Sequence, residues 1–199
     1  MTDPSGLWIK CPNCGETQFK KELRRNLDVC TECSHHFPLN APDRVLHIVD
    51  QGTFQEESPN LYTIDRLEFV DKEPYSEKIR RSVKKTGRAE SVIYGMSSIE
   101  GQPCVMCVMD FTFIGGSMGS VVGEKITRAI ELATAKSLPV IIISASGGAR
   151  MHEGTLSLMQ MGKTCAALQR HDAKGGLFIS VLTNPTTGGV MASFAALGD

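Results

Sequence analysis

Four cysteines constrain this chain more than anything else in it. Cys11-Pro-Asn-Cys14 is followed, fifteen residues later, by Cys30-Thr-Glu-Cys33. Each CxxC places two thiolates on one tight turn, and two such turns supply the four corners of a tetrahedron. The spacing is that of a structural zinc site, with Cys11, Cys14, Cys30 and Cys33 as ligands. Four thiolates leave no open coordination position, so a catalytic zinc is disfavoured. A redox dithiol pair is the weaker alternative. His35 and His36 follow directly and are expected at the surface or behind the ligands. A ribbon of this kind is held by its metal rather than by a core. It is expected over residues 1–38, with short β segments near Gln18–Phe19 and Val29.

The other three cysteines do not extend the pattern. Cys104 and Cys107 form a second CxxC, but inside an apolar strand-like run. Alternation along a strand sends them to opposite faces. Cys165 falls at a helical core position. All three are expected as buried apolar side chains. Seven cysteines in total, an odd number, also argue against a disulfide framework. The N-terminus lacks the basic start and apolar core of a signal peptide. No apolar run reaches the roughly 18 residues of a membrane span. The chain reads as cytoplasmic.

Charge gives little. The net charge is −1, which demands neither nucleic acid nor an acidic partner. Within the ribbon, Lys and Arg balance Asp and Glu. A weak nucleic-acid role for the ribbon therefore stays open without strong support. Residues 39–90 read as a connector with two helices, Ala41–Gln51 and Tyr75–Lys85. The second feeds a basic stretch of Lys78, Arg80, Arg81, Lys84, Lys85 and Arg88, either a solvated helix face or a phosphate-facing patch.

From residue 91 the texture repeats. Strands are expected at Ser91–Ile99, Gln102–Phe113, Val140–Ser144 and Leu177–Thr183. Helices are expected at Ser120–Lys136 and Thr155–His171, with a third opening at Val190. Strand, glycine loop and helix alternate, which points to an α/β fold with buried strands. The loops are Gly115–Gly119, Ser146–Arg150 and Thr187–Gly189. Each lies between a strand end and a helix start, where α/β folds bind ligands. Backbone N–H groups there can hold a phosphate or stabilise an oxyanion. There is no Walker sequence and no GxSxG elbow. Ser144 and Ser146 have no recognisable Asp/His partners. Arg150 and Glu153 are expected to orient the middle loop as an ion pair. Met151, Met159 and Met161 are expected as adaptable core.

The runs FTFIGGSMGSVVG (111–123), SASGGARMHE (144–153), LSLMQMGK (156–163) and SVLTNPTTGGVMASF (180–194), with the four-cysteine ribbon, closely resemble the β subunits of bacterial acetyl-CoA carboxylase carboxyltransferases. The resemblance covers nearly the whole chain. It implies a crotonase-like fold of stacked ββα units, occupying 91–199 behind the ribbon. It implies transfer of a carboxyl group from carboxybiotin, carried on a biotin carboxyl carrier protein, to acetyl-CoA, giving malonyl-CoA for fatty-acid synthesis. Partners would be an α subunit in an α2β2 heterotetramer and biotin carboxylase; ATP binding belongs to the same assembly. Another acyl-CoA as acceptor is the alternative. Gly147, Gly148, Gly188 and Gly189 match the family's oxyanion-stabilising glycines. The four cysteines match its zinc ligands. The family pattern continues beyond Asp199, so a C-terminally truncated chain with an incomplete domain is expected.

Overall fold

A computed structural model describes residues 6–199. Residues 1–5, at the start of the expected ribbon, lie outside the described residues. The chain divides into two compact units, Met1–Asn40 and Ala41–Asp199.

The first unit is two knuckles joined by a small β ribbon. Strands β1 (Trp8–Lys10) and β2 (Thr17–Phe19) pair antiparallel, with Trp8 opposite Phe19. A short helix, α1 (Lys20–Arg25), follows and was not expected from the sequence. Val29 bridges His36 around the second knuckle. The two knuckles share one hydrogen-bond scheme. Gly15 N–H donates to Cys11 O, and Ser34 N–H donates to Cys30 O, each at 3.0 Å. Both positions are left-handed, Gly15 at φ 79° and Ser34 at φ 58°. Glycine takes that conformation freely; serine pays a small local strain.

The second unit is a five-stranded sheet with helices. In chain order its elements are α2 (Ala41–Ile48), β3 (Gln55–Glu56), α3 (Tyr75–Thr86), β4 (Val92–Ile99), β5 (Gln102–Met109), α4 (Ser120–Lys136), β6 (Val140–Ser146), α5 (Thr155–Asp172), β7 (Phe178–Thr186) and α6 (Gly188–Met191). The sheet order is β3-β4-β5-β6-β7. β4 and β5 form a hairpin turned at Glu100-Gly101, while β5, β6 and β7 run parallel. Parallel neighbours need crossovers, and α4 and α5 supply them. Residues 41–90, a connector in the sequence reading, contribute α2, β3 and α3 to this unit.

Alternation along the strands builds two apolar clusters. Val105, Cys107, Val140, Ile142 and Phe178 meet Val122, Ile126, Ala129 and Ile130 of α4 on one face. Met106, Val108, Ile143 and Ile93 meet Ala41 and Val45 of α2 on the other.

Two elements end early for polar reasons. Helix α2 stops at Ile48, before Gln51, because the Asp50 carboxylate accepts the N–H groups of Glu100 and Gly101 in the hairpin turn. The strand expected to Phe113 stops at Met109. There Asp110 accepts the N–H and hydroxyl of Thr112 and the N–H of Ala41, turning the chain toward the first glycine loop. No helix among the described residues is long and apolar enough to cross a membrane.

Candidate functional site

The first site is made of sulfur. Cys11 and Cys33 Sγ lie 3.7 Å apart, Cys14 and Cys30 Sγ 3.8 Å apart, and all four atoms fall within 4.8 Å of one another. A tetrahedral zinc with Zn–S bonds of about 2.3 Å spaces its sulfurs by about 3.8 Å. The cluster therefore has the dimensions and the donor set of a tetrahedral zinc site. His35 and His36 are outside it: His35 uses its carbonyl for the Cys30 N–H, and His36 pairs with Val29.

The second site is built from three loops that grip one another beyond the strand ends. Gly147 N–H donates to Gly115 O at 2.9 Å, and Thr187 N–H to Ser146 O at 3.0 Å. Met118 N–H donates to Gly148 O at 2.8 Å, and Arg150 N–H returns to Met118 O at 2.9 Å. The packing leaves no room for side chains at several positions, Gly116 and Gly148 among them. A Cβ on Gly116 would sit 2.0 Å from Ala145 O. One on Gly148, at φ +117°, would sit 3.1 Å from Gly188 Cα and 3.2 Å from Gly189 N. These are the close backbone approaches that glycine permits.

The four glycines named from sequence thus come together, but their amides differ. Gly147 N–H is used by Gly115 O. Gly148 N–H is used by Ser146 Oγ at 3.0 Å. Gly188 and Gly189 N–H have no hydrogen-bond partner among the described residues, nor does that of Ala149. Gly189 stands beside Ala149, since a Cβ at 189 would lie 3.3 Å from Ala149 N. Gly188 is exposed, and Gly189 and Ala149 are half-buried. Three unpaired donors on the rim of a rigid loop cluster are a site for negative charge.

A buried charged network holds the loops from beneath. Arg150 is fully buried and forms a two-pronged pair with Glu90, at 2.6 and 2.8 Å. It also donates to Ser117 O at 2.6 Å and to Tyr75 Oη at 3.1 Å. Glu153 accepts the N–H and hydroxyl of Ser120 at 2.6 Å, Tyr75 Oη–H at 2.7 Å and Thr63 Oγ–H at 3.1 Å. Burial pushes the Glu153 carboxyl up, but the bonds from Ser120, Tyr75 and Arg150 outweigh it and hold it below the ordinary value. Burial alone would lower Arg150; the Glu90 charge and hydrogen bonds raise it instead. Burial raises Tyr75 well above an ordinary phenol. The Arg150–Glu153 contact expected from sequence is present at 3.4 Å, but Glu90 is the stronger partner. Glu90, Tyr75 and Thr63 were missed. Their only local signal is an acid standing directly before an apolar strand, Glu90 ahead of Ser91–Val92.

With this geometry in hand, the family comparison is direct. A carboxyl transferase domain model matches residues 52–199, and an acetyl-CoA carboxylase zinc finger domain model matches 8–33. This chain belongs to the carboxyl transferase family. Within it, the chain is 51% identical over 197 residues to the acetyl-coenzyme A carboxylase carboxyl transferase subunit β of Prochlorococcus marinus, covering 99% of this chain and 67% of that one. It is 55% identical over 196 residues to the subunit of the same name from Desulforamulus reducens, covering 98% and 67%. Among solved structures it resembles the transcarboxylase 12S hexamer determined with methylmalonyl-coenzyme A and methylmalonic acid bound. There the TM-score is 0.66 at 27% identity, covering 80% of this chain and 29% of that one. The Pseudomonas aeruginosa geranyl-CoA carboxylase β subunit shares the fold, at TM-score 0.54 and 19% identity. The α/β unit is thus a crotonase-like carboxyltransferase fold preceded by a four-cysteine zinc ribbon.

This carboxyl transferase departs from the sequence reading in two places. Met151 and Met159 are not core; they are 60% and 66% exposed, with only Met161 packed inward. Cys165 is half-buried rather than buried, because α5 turns it toward the helix flank, whereas Cys104 and Cys107 are buried as expected. In the basic stretch three of the six side chains have close partners, and Arg80 and Arg81 keep most of their surface in solvent. Arg80 pairs with Glu77, Arg81 with Glu73, and Lys78 Nζ donates to His152 Nε2 at 3.1 Å. Both pairing acids, Glu73 and Glu77, precede the stretch itself.

Proposed function

We propose that this chain is the β side of an acetyl-CoA carboxylase carboxyltransferase, moving a carboxyl group from carboxybiotin to acetyl-CoA to give malonyl-CoA. The reading rests on one observation: three unpaired amides, Ala149, Gly188 and Gly189, on loops that backbone hydrogen bonds and a buried ion pair hold rigid. Gly147 and Gly148, proposed from the resemblance as donors too, act in this arrangement by shaping the loop. Their own amides are engaged.

In this mechanism the loops bind the thioester of acetyl-CoA with its carbonyl oxygen against the free amides. As the methyl proton leaves, negative charge grows on that oxygen, and pre-aimed donors stabilise it more than they stabilise the ground state. Carboxybiotin supplies the carboxyl group and, once it has given it up, the base. No side chain in the cluster is placed to act as base: Ser146 Oγ holds Gly148, and Arg150, Glu90 and Glu153 are buried and mutually paired. The role of Arg150 is to keep Ser117 and the middle loop in register, so that the amides converge.

The same reading assigns one structural zinc to the ribbon, and an α subunit, a biotin carboxyl carrier protein and biotin carboxylase as partners in the cytoplasm. Residues 91–199 then hold the β-side part of the carboxyl-transfer domain. The test is malonyl-CoA formation from carboxybiotin and acetyl-CoA, with this chain and a matching α subunit. A β subunit of the relatives' full length runs in parallel. Product that depends on this chain supports the reading. A chain that neither turns over nor binds acetyl-CoA, beside an active control, rejects it for residues 1–199.

A further inference from the structure

A second cleft in the 41–199 unit runs along α2, β3 and the start of β4, and no residue of the three glycine loops lines it. Its wider part, of 560 Å³, is walled by aliphatic and aromatic side chains, among them Val45, Leu46, Phe54 and Ile93. A narrower polar recess of 170 Å³ adjoins it, lined by Asn60, Tyr62, Arg88 and Lys125. Glu56, Arg88 and Ile93 line both, so the two parts meet there.

The recess holds cations with too few partners. Lys125 is 1% exposed, yet its ammonium makes a single long hydrogen bond, 3.4 Å to Val92 O. An ammonium carries three N–H donors, and a buried one without partners is costly. Burial accordingly lowers the Lys125 ammonium, against the pull of Glu56 and Glu90. Arg88 reaches Asp110 only at 3.9 Å, and Asp110 already accepts from Ala41 and Thr112. Glu90 spends both oxygens on Arg150. Among the described residues lining the recess the remaining acid is Glu56, exposed on the edge strand, while Asp50, in the wider part, already accepts the N–H groups of Glu100 and Gly101.

We propose that this cleft binds an aliphatic amphiphile with one anionic head group, the head on Lys125 and Arg88 and the tail along Val45, Leu46, Phe54 and Ile93. An anion supplies the acceptors that the two cations lack. The tail covers Leu46, which is otherwise 71% exposed. Glu56 stands at the junction and works against the anion, which fixes the sign of one test.

Decanoate titrated calorimetrically into the full chain is the probe. Decanol presents the tail alone, acetate the head alone, and decyl phosphate tells a phosphate head from a carboxylate. Decanoate is expected to bind saturably, one per chain, at least tenfold more tightly than decanol or acetate. Lys125→Met and Leu46→Glu are each expected to weaken it tenfold or more, and Glu56→Gln to tighten it a few-fold. Leu46 is exposed, so Leu46→Glu keeps the fold and its result stands even where Lys125→Met is poorly soluble. Equal affinity for decanoate and decanol, or wild-type affinity in Leu46→Glu, overturns the proposal. So does displacement of decanoate by coenzyme A, which assigns the cleft to the substrate instead.

Discussion

The ribbon and the sheet unit solve the same problem with opposite means. In the ribbon, the described buried side chains are Cys11, Leu23, Cys30 and Gln18, while Leu7, Trp8 and Leu27 stay about half exposed or more. That is too little apolar burial to offset the entropy of ordering some thirty residues. The four thiolates do it through the metal. The sheet unit has a continuous apolar cluster from Val92 to Ala195 and needs no metal. It uses that surplus to bury a charged network beneath the glycine loops, where rigidity serves chemistry. One unit spends its polar groups on staying folded; the other can place them for function.

The largest test of this contrast removes the metal. Cys30→Ala, or a strong chelator, should abolish stoichiometric zinc and unfold residues 7–37. Structural zinc in such modules contributes on the order of 10 kcal/mol or more. Residues 41–199 should keep their amide spectrum. A variant that still holds one tight zinc would show that another residue ligates, and collapse of the sheet unit along with the ribbon would break the comparison.

The converse test breaks the buried pair. Glu90→Gln leaves the fully buried Arg150 without its carboxylate. Removing one partner of such a pair costs about 3–5 kcal/mol. Urea unfolding of the sheet unit should shift by that order while zinc content stays at one. A loss under about 1 kcal/mol would mean that Glu153 and Tyr75 suffice for Arg150.

Next comes the loop itself. Gly148→Val puts a branched side chain 3.1 Å from Gly188 Cα at a left-handed φ. Carboxyl transfer should fall about 10²–10³-fold, the usual scale for losing an oxyanion donor, with zinc retained. Wild-type turnover in this variant would reject the loop geometry as the basis of catalysis.

These tests also mark what the sequence could and could not say. The ribbon was legible because metal ligation is local and its spacing is stereochemically strict: Cys11 to Cys33 needed only counting. The helices Ser120–Lys136 and Thr155–Asp172 and the strands between them were legible from apolar periodicity. The glycine loops were legible as pairs. Which amides stay free was not, because that depends on Gly115 O and Ser146 Oγ arriving from other turns. Glu90 and Tyr75 were invisible for the same reason, standing 60 and 75 positions from Arg150. Met159 misled because α5 carries apolar residues on its exposed flank, Leu158 included, and Met151 because it sits in an exposed turn ahead of that helix. Pattern alone does not say which flank faces the core.

The smallest effect is also the most selective, and it concerns the margin of the network. His152 is buried with its ring stacked on Tyr75, centroids 4.8 Å apart. Its Nε2 takes a hydrogen bond from Lys78, an obligate donor, so the ring proton sits on Nδ1, which is buried and has no partner among the described residues. Burial, then Lys78 and Arg150, push His152 below its ordinary value of 6.5; Asp71 and Glu153 pull the other way. A depressed imidazole favours the neutral ring in the folded state. The unfolded chain therefore takes up the proton first as pH falls through 6.5, and stability drops from there down to the folded value. Glu153, also depressed, keeps its contribution until pH falls below its ordinary value of 4.5. Two windows follow, an upper one from His152 and a lower one from Glu153. Between pH 7 and 5 the unfolding free energy of the sheet unit should decline by less than about 1.4 kcal/mol per pH unit, the limit for one proton. His152→Gln should flatten that slope and leave the loss below pH 4.5 in place. An unchanged slope in His152→Gln would move the upper titration to another group and detach His152 from the network that holds the loops.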